Sequence, residues 1–233
     1  MIIEGAISVK AAINNHRRNV ELVYIDKNKK TKDFNYIRKI ARENNITINE
    51  LDKSDLKNYL TGKSNGGVGA LVGSRKEDEF SNDDIIFLDG IEDPFNIAYA
   101  LRTLYALGFK NVLLNQRDYS YIEAQILKSS AGAFDMLNVR YTDDYLKDIN
   151  ALKNDGYYIY GLFRNESATD VFDCNFNNKA IYILGGEKRG IAKELLNICD
   201  EYLYISYASD FRNSLNAAAA VDILATLIYK QKR

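Results

Sequence analysis

The segment IYILGGEKRGIAKELL, Ile181 to Leu196, decides the architecture. An apolar, β-branched run stops at Gly185-Gly186, passes through Glu187-Lys188-Arg189-Gly190, and resumes with helical spacing. A glycine-rich strand-to-helix turn ordinarily suggests phosphate, because backbone N–H groups at a helix N-terminus favour anions. Glu187 would repel one, and neither phosphate-loop spacing, GxxxxGK[ST] or GxGxxG, occurs here. Backbone that a ligand can rest on, with one carboxylate beside it, suits a neutral or cationic small molecule. An acid exposed on a turn is the alternative.

Working outward from this segment, the chain alternates regularly. Before it lie the strand DIIFLDG, the helix DPFNIAYALRTLYALG, the strand NVLL, the helix YIEAQILKSSAGA, the amphipathic helix YTDDYLKDINALKNDG and the strand YYIYGLF. After the helix IAKELLNICD come the strand YLYIS and a last helix through SLNAAAAVDILATLIYKQ. Continuous apolar strands separated by helices predict an α/β domain with a mainly parallel sheet covered on both faces. Ligands of such sheets sit beyond the carboxyl ends of the strands, which singles out the loops after Asp89, Gly161, Gly185 and Ser206.

The first 76 residues alternate on a smaller scale: a helical GAISVKAAINN, a strand VELVYID, a helical FNYIRKIARENN and a glycine-punctuated strand GGVGALVG. The polar stretch SRKEDEFSNDD then reads as a linker. The expected organisation is a small α/β domain over 1–76, a linker over 77–84 and a larger α/β domain over 85–233. Charge divides at the same place. Residues 1–76 carry 15 Lys and Arg against 8 Asp and Glu, a net of +7, and residues 77–233 a net of −8. A basic segment beside an acidic one suggests that the first meets a polyanion, although Lys27, Lys29, Lys30 and Lys32 also fit a solvated loop.

With 46% hydrophobic and 27% charged residues in 233, the chain reads as an ordinary soluble globular protein. No apolar run approaches the roughly 20 residues of a membrane span. The start MIIEGAISVKAA lacks a basic region followed by a long apolar stretch, so the cytoplasm is the default expectation. Cys174, Cys199 and His16 have no metal-binding or disulfide spacing, and no metal is expected.

Three stretches bear chemistry. In DPFNIAYALRTLYALG, Asp93 followed by Pro94 is a strong helix start. Asn96 and Arg102 are almost two turns apart, which suggests broadly similar faces. Arg102 interrupts an apolar run and calls for an ion-pair partner or an anionic ligand. The opening segment contributes Leu184, Gly185, Gly186, Glu187 and Gly190. In NSLNAAAAVDILATL, Ser214 stands where a helix N-cap would be, Asn216 follows, and Ala217 to Ala220 leave room for close packing.

Together, in this order, these stretches resemble the three motifs of the SpoU (TrmH-type) 2′-O-ribose RNA methyltransferases of the SPOUT superfamily. DPFN…R…G, LGGEKRGI…CD…I and SLNAAAA carry the resemblance, with KSSAGAFDMLNVRY between them. IIEGAISVKAAI and NGGVGALV look like the L30e-like substrate-binding domain of ribosomal RNA members. The resemblance implies a SPOUT α/β domain with a C-terminal trefoil knot, an L30e-like first domain, and a homodimer whose active site forms at the subunit interface. It implies S-adenosylmethionine as cofactor, cradled at Leu184, Gly185, Gly186, Gly190, Ile205, Leu215 and Gly161, and no metal. Arg102 matches the arginine proposed to activate the ribose hydroxyl, and Asn96, Glu187, Ser214 and Asn216 match residues that shape the site. The implied activity is 2′-O-methylation of structured RNA, with 23S rRNA as first expectation. Transfer RNA, or a catalytically silent RNA-binding role in ribosome assembly, are the alternatives. Phe95 and Ala98 stand where the family usually has glycine or a small residue, and Ile205-Ser206-Tyr207 where it has Ile-Pro-Met.

Overall fold

The structure, a computed structural model, describes residues 1–186 and 189–232. In chain order the elements are β1 (Ile2–Glu4), α1 (Ala6–Asn15), β2 (Val20–Asp26), α2 (Lys32–Glu43), β3 (Thr47–Leu51), α3 (Lys53–Leu56) and β4 (Val68–Val72). There follow β5 (Ile85–Asp89), α4 (Pro94–Ala106), β6 (Asn111–Asn115), α5 (Glu123–Ser129), a 3-10 turn (Ala133–Asp135), β7 (Asn138–Thr142) and α6 (Tyr145–Asn154). Last come β8 (Tyr158–Leu162), β9 (Thr169–Asp170), β10 (Ala180–Gly185), α7 (Lys193–Leu196), β11 (Glu201–Tyr204) and α8 (Ala217–Lys232). Among the described residues no helix is long and apolar enough to cross a membrane.

The chain divides into two compact units. The first comprises Met1–Lys76 together with Asp118–Met136. Its sheet runs β1-β4-β2-β3, with β4 antiparallel to both β1 and β2, and β2 parallel to β3. Helix α2 is amphipathic, burying Phe34, Ile37, Ile40 and Ala41 on one stripe.

The segment Asp118–Met136 lies on the second-domain side of the expected division at residue 76, yet it packs in the first unit. The reason is a buried ionic cluster. Arg18 donates from Nε and Nη2 to the two carboxylate oxygens of Asp135 at 2.8 and 2.7 Å, and from Nη1 to Glu123 Oε1 at 2.8 Å. The Arg18 and Asp135 side chains are fully buried. Glu123 also accepts from the Arg75 backbone N–H at 3.0 Å, and Arg75 Nε donates to the Phe134 carbonyl at 3.1 Å. Burial opposes the charge of Arg18, but the hydrogen bonds and charges of Asp135 and Glu123 outweigh it and hold its pKa above the ordinary arginine value.

The second unit comprises Glu77–Arg117 and Leu137–Arg233, of which the described residues form the sheet β7-β6-β5-β10-β8-β11-β9. Every pairing recorded in this sheet is parallel. Ile85, Phe87, Ile181 and Ile183 share one apolar cluster with Ile149 of α6 and Leu195 of α7. Strand alternation turns Ile86, Leu88, Tyr182 and Leu184 to the opposite face. There α8 packs on β10 and on α4. The helix expected over IAKELLNICD is only the single turn α7, and β7 is a strand that the apolar periodicity of DMLNVRY did not predict.

Candidate active site

The carboxyl ends of β8, β10 and β11 open into a cleft of about 340 Å³, at the low end of the small-molecule range. Leu184, Gly185, Gly186 and Gly190 line it from one side. Ile205, Ser214 and Leu215 line it from the segment between β11 and α8, and Ala217 and Ala220 from the first turns of α8. Glycine is required here by space. A Cβ on Gly185 would lie under 3 Å from the Gly190 carbonyl carbon and the Ile191 nitrogen, and one on Gly186 under 3 Å from the Gly90 carbonyl. Gly190 also has φ +68°, and its N–H donates to the Gly186 carbonyl at 2.8 Å. The strand thus ends in a tight turn at which Gly185, Gly186 and Gly190 present only backbone to the cleft.

Beneath that loop is a residue the sequence reading passed over. Asp89, the last residue of β5, is fully buried. Its carboxylate accepts from Arg189 Nη2 at 2.7 Å, the Ala192 N–H at 2.9 Å and Asn115 Nδ2 at 3.2 Å. Its carbonyl accepts the Gly186 N–H at 2.8 Å, and Asn115 Oδ1 accepts the Gly90 N–H at 2.6 Å. One residue therefore ties both ends of the loop to β5, its carbonyl holding Gly186 and its carboxylate Ala192. The available signal was an acid closing an apolar strand, IIFLD, at the sheet's ligand-binding edge. Asp89→Asn is expected to lower stability by about 1.5–3 kcal/mol, the worth of hydrogen bonds to a charged group, as measured by urea unfolding.

The helix start at Asp93 is as expected. Its side chain accepts the Phe95 and Asn96 N–H groups at 3.0 and 2.9 Å, with Pro94 at the first helical position. Arg117 secures the loop ahead of it by donating to the Ile91 and Glu92 carbonyls at 3.2 and 3.0 Å. The cap of α8 differs from expectation. Asn216, not Ser214, is the N-cap: its carbonyl accepts the Ala220 N–H at 3.0 Å and its Oδ1 accepts the Ala218 N–H at 2.9 Å. Ser214 lies three residues ahead of the helix and faces the cleft.

Asn96 and Asn216 meet, Asn216 Nδ2 donating to Asn96 Oδ1 at 2.9 Å, which joins α4 to the head of α8. Arg102 points elsewhere. Six residues at 3.6 per turn leave it about 120° around α4 from Asn96. It is exposed, outside the cleft lining, and without a hydrogen bond or ion pair to any described residue. The expected ion pair for Arg102 is therefore absent among the described residues. Gly161 does not line the cleft either; the space where its side chain would be is filled by Cys199 Sγ, Ile191 and Leu196. Burial pushes the Cys199 thiol up to about 12, so it supplies no nucleophile. Glu187 lies outside the described residues.

The second unit, with its parallel sheet and glycine loop over a carboxyl-end cleft, has the fold of the SpoU and TrmH methyltransferases. AviRb from Streptomyces viridochromogenes, a SpoU methyltransferase solved in complex with AdoMet, superposes with a TM-score of 0.80 at 20% identity, covering 100% of this chain and 90% of that one. An AdoMet-bound rRNA methyltransferase from Sinorhizobium meliloti gives 0.79 at 14% identity, over 98% and 86%. Residues 83–226 match the SpoU rRNA methylase family, and the chain belongs to that family of RNA methyltransferases. Residues 2–77 match a domain described as RNA 2′-O ribose methyltransferase substrate binding. Among curated relatives, a protein of Staphylococcus epidermidis assigned to the TrmH family of tRNA/rRNA methyltransferases is 29% identical over 246 residues, 100% of this chain and 96% of its own length. A Staphylococcus haemolyticus counterpart is 27% identical over 243 residues, 100% of this chain and 96% of the relative.

Proposed function

We propose that this chain methylates the 2′-hydroxyl of a ribose in structured RNA, with S-adenosylmethionine as donor and 23S rRNA as the first candidate substrate. The observation that carries this reading is the backbone-walled cleft at Gly185, Gly186 and Gly190. A side chain at either of the first two positions would collide with backbone and push this wall out of shape, and the loop carries no phosphate-binding spacing. Leu184, Gly185, Gly186, Gly190, Ile205 and Leu215 would hold the cofactor. Bound there, S-adenosylmethionine supplies an electrophilic methyl group on a sulfonium sulfur.

The remaining work falls to positioning. A guanidinium, with a pKa above about 12, is a poor base at neutral pH, so Arg102 serves by clamping an RNA phosphate and orienting the ribose. Asn96, Asn216 and Ser214 shape the helix junction beside the cleft. Because Arg102 lies outside its own chain's cleft, a homodimer that delivers it to a partner's cleft completes the site. The exposed rings of Phe95, Tyr99 and Tyr105 on α4 offer the apolar surface such a pairing needs.

The test is transfer of labelled methyl from S-adenosylmethionine to unmodified 23S rRNA and, in parallel, to unmodified tRNA, with the product mapped by resistance to alkaline hydrolysis. One protected ribose in 23S rRNA is the expected result. Incorporation only into tRNA moves the substrate, and cofactor binding without incorporation into either favours the silent RNA-binding role. Arg102→Lys is expected to reduce turnover at least 100-fold while the cofactor Kd stays within twofold, since lysine retains the charge without the bidentate fork.

A further inference from the structure

If RNA is the substrate, it meets the cleft at its mouth, and the mouth has a composition of its own. We propose that Arg164 and Arg212, with Phe163, Tyr207 and Phe211, form a rim that docks single-stranded RNA flanking the target nucleotide. This rests on the methyltransferase reading above and adds to it the residues that grip the substrate.

Arg164 follows β8 and Arg212 precedes α8; both line the cleft and both are exposed. Neither has a hydrogen bond or ion pair to a described residue. By contrast Arg18, Arg38 and Arg189 each hold a carboxylate. Among the described residues Arg164 interacts with a ring, its guanidinium carbon lying 5.9 Å from the centroid of Tyr204. Asp210, two residues from Arg212 in the same segment, does not pair with it. Two guanidinium groups, neither held by a carboxylate among the described residues, thus line a cleft in a unit whose sequence is net acidic.

Aromatic rings stand beside them. Phe163 is 40% and Phe211 50% exposed, and Tyr207, which lines the cleft, lies tilted against Phe211 with centroids 6.0 Å apart. Large apolar side chains that stay half in water on the edge of a cleft are not explained by core packing. Cations and exposed rings together suit a chain of phosphates and bases: guanidinium groups bind phosphate bidentately, and unstacked bases rest on aromatic faces. A cofactor carboxylate would use one cation and leave the second, and Phe211, half exposed beside Arg212, lies outside the cleft lining.

The test uses the full chain and two titrations. Binding of a fluorescein-labelled, mixed-sequence 12-nucleotide single-stranded RNA is followed by anisotropy across salt concentrations, and binding of S-adenosylmethionine by calorimetry. Replacing both arginines (R164Q with R212Q) is expected to weaken RNA binding at least tenfold and to reduce the slope of log K against log salt by about 1.4, the share of two phosphate contacts on a single strand. Phe211→Ala is expected to weaken it about fivefold or more, with Phe211→Trp within twofold of the parent. S-adenosylmethionine affinity should stay within twofold throughout. Unchanged RNA binding in the double variant overturns the rim, as does a loss of cofactor affinity equal to the loss for RNA. A parent chain that binds RNA but not S-adenosylmethionine removes the methyltransferase reading, while the variants still decide the rim. A parent that binds no RNA overturns the rim itself.

Discussion

Arg18→Met is expected to destabilise the first unit by about 3–5 kcal/mol, the scale for removing one partner of a buried ion pair. The substitution leaves the Asp135 carboxylate, fully buried, without its two short hydrogen bonds, and takes one from Glu123. The size follows from desolvation: a buried carboxylate stripped of its hydrogen-bonded partner, with Arg75 Nε left at 3.8 Å, is far worse than no charge at all. Hydrogen exchange resolves the effect by region. Amides of residues 118–136 and of α1 should exchange at least 100-fold faster, while those of β5 and β10 keep their protection. Arg18→Lys should fall between the two, because an ammonium group replaces only part of a bidentate fork. Equal protection in the Met variant would show that the cluster contributes nothing to holding Asp118–Met136 in place.

Gly185→Ala is expected to abolish measurable S-adenosylmethionine binding and with it methyl transfer. The added methyl would meet backbone, the Gly190 carbonyl carbon and the Ile191 nitrogen, and backbone cannot rotate away as a side chain end can. The loop must open, at about 1–3 kcal/mol for ordinary overpacking and more where it is fixed at both ends, as here by the carbonyl and the carboxylate of Asp89. Calorimetric titration of the cofactor reads the outcome directly. Because Gly73 has no neighbour closer than 3.8 Å, Gly73→Ala is the matched control and should bind normally.

Much of the second unit was legible because its strands are continuous apolar runs, and because Asp93-Pro94 is a strong local signal that tertiary packing did not override. The glycine loop was legible for a related reason: only glycine tolerates such close backbone approach, so three glycines around a turn leave a trace in the sequence. What stayed hidden depends on where side chains end up. Glu123 and Asp135 look like surface acids, and nothing local shows that Arg18, more than 100 residues earlier, closes over both. Asp89 reads as the polar end of a strand until three donors are found on it. The cap of α8 was placed two residues early, since Ser214 and Asn216 are both good caps and only the path of the chain decides between them.

The excursion of Asp118–Met136 into the first unit also bears on how the protein is made. On the ribosome the first 76 residues emerge with Arg18 already committed to an interior site and its two acids still unsynthesised. Sixty more residues must follow, about 3–12 s at ordinary elongation rates, before Asp135 exists. During that interval the nascent first unit is incomplete, and all of β5, α4 and β6 must be synthesised before it can close. A gene fusion or recombination that cuts at residue 77 would separate the arginine from both its carboxylates. The sequence families that meet in this chain therefore do not part at residue 77: the first unit is complete only when residues through Asp135, from within the second family's span, have been made.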